Sequence, residues 1–142
     1  MTTIETIRDI TVTAKVANRI AQETKAELAR LKLEKATIEF CENYVEAEIL
    51  NAATEGIGCV YLPTFGRMQY SDADEWYPLK TDTYRYANGD ESLVPDQTKP
   101  AISIAYLTNY LEHRGFTVTV EKRYYMQYSW GQQKGHRIRI SW

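Results

Sequence analysis

Phe116-Thr117-Val118-Thr119-Val120-Glu121 and Arg137-Ile138-Arg139-Ile140-Ser141-Trp142 decide the fold. In each stretch apolar and polar side chains alternate, the two-residue period of a strand with one buried and one solvated face. Gly131 and Gly135 stand between them as turn residues, in a segment from Tyr124 to His136. Residues 116–142 therefore read as a β-hairpin with a long tip. Immediately upstream, Ile104, Leu107, Tyr110 and Leu111 recur at helical spacing. Pro100 or Ala101 opens that helix, since proline is tolerated in a first turn. Arg114-Gly115 closes it with a cation and a C-cap glycine.

The other end of the chain is also helical. No proline and no glycine occurs before Gly56, and Ala, Leu, Glu and Lys are abundant. Val16, Ala17, Ile20, Ala21, Thr24, Leu28 and Leu31 form one apolar set at spacings of one, three and four. Ile38, Cys41, Val45, Ile49 and Ala52 form another. The phase drifts between Leu31 and Ile38, so the segment is two helices or one long bent helix, with Thr11 or Thr13 as the expected cap. Gly56 is free to take the left-handed conformation that ends it. Gly58 to Leu62 reads as a short buried strand stopped by Pro63. All four prolines and many Asp residues fall in 63–100, which reads as a long irregular insertion carrying aromatic anchors, with Tyr84 and Tyr86 able to alternate on a short strand.

These pieces predict one α+β domain over 1–142: helical 1–56, strand 57–62, insertion 63–100, helix 101–115 and hairpin 116–142. N-terminal helices would pack on a small three-stranded, mostly antiparallel sheet. The 142 residues suit one domain, and a net charge of −2 gives no bulk field toward nucleic acid or membrane. The first ten residues have neither the basic nor the apolar region of a signal peptide, and no apolar run reaches the roughly 18 residues of a membrane helix. Cys41 and Cys59 lack zinc-ligand spacing and read as free thiols in a reducing cytosol, with a single disulfide as the alternative.

The helix end Ile49-Leu50-Asn51-Ala52-Ala53, Gly56 and the strand after it, then Leu111-Glu112-His113-Arg114-Gly115-Phe116 and the terminal Ile138-Arg139-Ile140-Ser141-Trp142, resemble a type of small tailed-bacteriophage protein that ends a hairpin in Ile-Ser-Trp. The resemblance covers about two thirds of the chain and leaves out 63–100. It implies phage origin and action in the host cytoplasm, and brings no catalytic residues with it.

Two surfaces are candidates for binding. Residues 113–142 hold six Lys or Arg against one acid, a local charge of +5, while residues 1–112 sum to −7. Arg123, Tyr125, Tyr128, Trp130, Lys134, His136, Arg137 and Arg139 therefore form a candidate ligand site, because interleaved cations and aromatics bind phosphates and stack bases. Arg137 and Arg139 lie about 7 Å apart on one strand face. The plainer reading has this face pairing with helix glutamates over a core of Ile138, Ile140 and Trp142. Trp76, Tyr77, Tyr84 and Tyr86, set among the acids of the insertion, form a candidate surface for a basic partner. Asp72-x-Asp74 and Asn88-Gly89-Asp90 resemble fragments of a calcium loop without its full spacing. No catalytic, metal or cofactor motif is present, and His113 and His136 have no partner by spacing. The expectation is a non-enzymatic binding protein that neutralises a host factor or sequesters a small nucleotide signal. Alternatives are a nucleic-acid-binding module and a minor virion or assembly protein, with a homodimer through the N-terminal helix open in each case.

Overall fold

Residues 3–128 and 130–142 are described by a computed structural model of the chain. It divides into two units, the first ending at Lys32 and the second running from Leu33 to Trp142.

The first unit is helical. Helix α1 is assigned to Ile4–Phe40, and it starts earlier than the expected caps. The Thr6 N–H donates to Thr3 Oγ1 at 3.2 Å, so Thr3 caps the helix. Thr11 instead donates back to the Ile7 carbonyl from inside the helix. Every residue from Thr3 to Lys32 is exposed.

The second unit holds the core. The helical chain continues through one π-helical turn, Cys41–Val45, into α2, Glu46–Thr54. The π turn has a physical reason. Thr37, Cys41 and Val45 are each fully buried at steps of four residues, a longer step than the 3.6 of an α-helical turn. Widening the turn holds them in one line. Gly56 takes φ 78 after α2, as its position predicts.

The described residues form six strands, where a three-stranded sheet was expected. β1 (Cys59–Tyr61) and β2 (Phe65–Gly66) are two parts of one interrupted run along β6 (Gly131–Ser141). Cys59 pairs with Ser141 and Phe65 with His136, so the register slips by one residue across Pro63. Proline breaks the ladder there without ending the run. β3 (Tyr77–Arg85) and β4 (Glu91–Pro95) form a hairpin inside the stretch expected to be irregular. Its turn runs from Tyr86 to Gly89, closed by the Gly89 N–H donating to the Tyr86 carbonyl at 2.9 Å, with Gly89 at φ 90. β5 (Thr117–Gln127) pairs with β6 along its whole length, so the expected long tip shrinks to the residues around Tyr128 and Trp130. The order is β1–β6–β2–β3–β4, with β5 on the other edge of β6.

Helix α3 spans Ile104–Glu112, shorter at its start than expected. Pro100 and Ala101 lie outside the helix, and Ile102 bridges to Trp76 through two backbone hydrogen bonds of 2.9 Å. The α2 helix lies against β1, and α3 against β5. Between them and the sheet, Cys41, Val45, Leu107, Leu111, Ile138 and Ile140 are buried. Trp142, expected in this core, is 45% exposed and meets Phe116 edge-on. Both cysteines are free thiols; Cys41 is buried and Cys59 half-buried. Burial pushes the Cys41 thiol up to about 12. No described helix is long and apolar enough to cross a membrane.

Candidate functional site at the hairpin tip

The register of β5 and β6 sorts the predicted ligand residues onto two faces. Glu121 pairs with Arg137, Thr119 with Arg139 and Arg123 with Gly135, so these share the face away from Ile138 and Ile140. Lys134 and His136 lie on the other face. The eight residues therefore do not form one site.

The arginine face is partly neutralised. Arg137 donates to Glu121 Oε2 through Nη2 at 2.9 Å and Nε at 3.2 Å, and Arg123 donates to the same oxygen at 2.9 Å. The Arg137 hydrogen bond first, and the Arg123 charge beside it, hold the Glu121 carboxyl below the usual carboxylate range. The Arg137 guanidinium also lies over the Tyr61 ring at 4.3 Å. The partner of these arginines is thus a strand glutamate, where helix glutamates were the plainer expectation.

His136 stacks on Trp76, with ring centroids 4.3 Å apart and planes 24° off parallel. Arg67 lies over the same indole at 4.7 Å. Burial, then the charges of Arg67 and Lys122, lower the His136 pKa against a smaller opposing pull from Asp74. Its Nδ1 is buried with no hydrogen-bond partner among the described residues. Trp76 is only 5% exposed and belongs to the core, which corrects its reading as a docking residue. Tyr77 and Tyr86 are half-buried, and Tyr84 stacks on Tyr128 at 4.1 Å. Tyr84 and Tyr128, assigned to separate surfaces, thus join the two hairpins, and the Tyr128 N–H donates to the buried Ser92 hydroxyl at 2.8 Å.

Asp74 has a structural task that the sequence did not reveal. Its carboxylate accepts from the Trp76 indole at 2.7 Å and from the Ile104 and Ala105 N–H groups at 3.1 Å each. It also accepts from the hydroxyl of Ser103, which caps α3. The acid sits where the positive end of the helix dipole favours it. The calcium-loop fragments are accounted for in this way, since Asn88-Gly89-Asp90 forms the β3–β4 turn. Among the described residues no three His, Cys, Asp or Glu converge as a metal site.

What the tip does assemble is a groove of about 320 Å³. Pairing of β2 with β6 stops at Gly66–Gly135, and residues 67–71 continue beside the edge that this leaves. Arg67, Tyr125 and Lys134 line the groove together with Gln69, Gln132 and Gln133; among the described residues no carboxylate lines it. Tyr125 is 6% exposed and covers Gly66, where an added Cβ would lie 2.7 Å from its hydroxyl. Tyr70 at the groove has φ 61 and is 97% exposed. A left-handed backbone costs a tyrosine roughly 1–2 kcal/mol, and this one holds a bare aromatic ring in water. Trp130 lines a neighbouring groove of about 300 Å³ with Met68, Lys80 and Gln127. The sequence reading named Tyr125, Lys134 and Trp130 and did not name Arg67 and Tyr70, whose only local signal is a cation and an aromatic close to Gly66.

A larger groove, about 430 Å³, lies elsewhere and holds none of the predicted ligand residues. Phe40, Tyr44, Phe65, Ile102 and the prolines at 63, 78 and 100 make it mainly apolar. No protein-family model, curated protein or solved structure matches the chain.

Proposed function

We propose that the protein is a non-enzymatic binding protein whose tip groove takes a small anionic ligand with a planar ring, of the nucleotide class. The observation that carries this reading is that Arg67 and Lys134 both line one groove, with no carboxylate among its described lining residues. Lys134 and Arg67, whose guanidinium lies over the Trp76 ring, attract phosphate oxygens, and no carboxylate among the described lining residues competes for them. Tyr70 supplies an exposed ring for stacking, and the Gln69 and Gln132 amides supply hydrogen bonds to a base edge. The volume is at the small end of the range for ligand pockets. The arginine face supports a nucleic-acid interface less well, because Glu121 already engages Arg123 and Arg137. The resemblance to small tailed-phage proteins supports an accessory role in a host cell, in which a nucleotide signal is sequestered.

The test is calorimetric titration of the full chain with a panel of nucleoside mono-, di- and triphosphates and cyclic dinucleotides. Binding of one class is expected. Lys134→Ala, which alters an exposed side chain, is expected to weaken it about tenfold, the scale of one charge-assisted hydrogen bond. Absence of binding across the panel, or unchanged affinity in the variant, contradicts the assignment.

A further inference from the structure

Within the first unit, apolar and small residues keep an unbroken three-four spacing from Ile7 to Leu31. Written as a heptad, Ile7, Ala14, Ala21 and Leu28 occupy position a, and Ile10, Ala17, Thr24 and Leu31 occupy position d. A straight α-helix would let this line drift by about 20° per heptad; a strict seven-residue repeat stays in line only when helices supercoil left-handedly around each other. The large members of the seam stand in solvent, with Ile7 52%, Ile10 61%, Leu28 62% and Leu31 47% exposed. The seam is about 36 Å long, three and a half heptads, which is long enough for a stable coil.

We infer that residues 7–31 pair with the same residues of a second copy of this chain as a parallel, two-stranded coiled coil. The occupant is a second copy because an in-register pair matches every layer to itself: Ile and Leu at both ends, alanines in the middle, and Thr24 against Thr24, where two hydroxyls can bond. The flanking charges agree. Glu27 falls at position g and Lys32 at position e, so a parallel pair sets each Glu27 against Lys32 of its partner. An antiparallel pair would oppose e to e and g to g and lose this match. Two strands fit better than three or four, because the alanines let two helices approach closely but leave a void on the axis of a wider bundle.

The experiment is sedimentation and native mass measurement of the full chain at tens of micromolar. Wild type is expected at twice the chain mass of 16.4 kDa. Ile10→Gln with Leu28→Gln is expected at one chain mass, with the near-ultraviolet signal of the tryptophans unchanged. Val12→Gln with Val16→Gln is the control: both valines are exposed, at 60% and 41%, but lie off the seam at positions f and c. That variant is expected to remain dimeric. Ala14→Cys is expected to cross-link to itself on oxidation, as a parallel register requires. A monomeric wild type, a mass of three or more chains, a seam variant that stays dimeric, an off-seam variant that dissociates, or an Ala14→Cys dimer that fails to cross-link overturns the inference.

Discussion

Asp74 shows how much one side chain can organise without any local sign of it. In the sequence it is one acid among several around a Trp-Tyr pair, and nothing in that neighbourhood points to a helix thirty residues on. In the structure it gathers the start of α3 and the Trp76 indole on one carboxylate. Asp74→Ala removes a cap and leaves buried donors unpaired, so a loss of about 2–3 kcal/mol is expected in denaturant unfolding. His136 sets a pH dependence. Its folded pKa lies below the usual 6.5, so below that value the unfolded chain binds more protons than the folded one. The stabilisation is therefore complete above the unfolded pKa and is lost as pH falls through it toward the folded pKa. Thermal melts from about pH 7.5 to about pH 5.5 should fall for wild type and flatten for His136→Gln; equal slopes would contradict this. Tyr70→Gly relieves a left-handed backbone, so it should leave stability unchanged or raise it by up to about 1 kcal/mol. The same change should weaken nucleotide binding, because the ring is lost. A variant that binds as well as wild type would remove Tyr70 from the site.

At the scale of elements, alternation exposed the β5–β6 hairpin and the glycine caps exposed the ends of α2 and α3. Those signals are local, and the structure follows them. The β3–β4 hairpin was hidden because Pro78, Pro95 and Asp82 lower the strand propensity of both arms. Its one strong signal, Asn88-Gly89 between aromatic and aliphatic runs, marks a tight hairpin turn. Gly135 was read as a turn residue, but it lies in the middle of β6, where an added Cβ would stand 2.9 Å from the Phe65 carbonyl oxygen and 2.9 Å from the Thr64 methyl. Backbone cannot yield cheaply there. Gly135→Ala is expected to cost about 1–3 kcal/mol by overpacking, and hydrogen exchange should show the loss concentrated where β2 meets β6. Faster exchange in α2 or α3 alone would contradict that placement.

At the scale of the whole molecule, the sequence showed that cations and aromatics concentrate in the last thirty residues, and the tip groove draws on that excess. It could not show which of them meet. A two-residue period assigns faces, but the partners of Lys134 and Tyr125 come from residues 67–71, brought in by the one-residue slip across Pro63. Arg137 and Arg139 were the sharper prediction from spacing alone, and Glu121 occupies the first of them. Anionic ligands are proposed to enter at the tip, and amide chemical-shift mapping during titration with the tightest-binding nucleotide of the panel tests this. Shifts are expected to be confined to residues 67–71 and 131–135, and to need about tenfold more ligand in Lys134→Ala. Shifts centred on residues 36–44 and 99–102, around the apolar groove, or on the arginine face at 119–123 and 137–139, would contradict it.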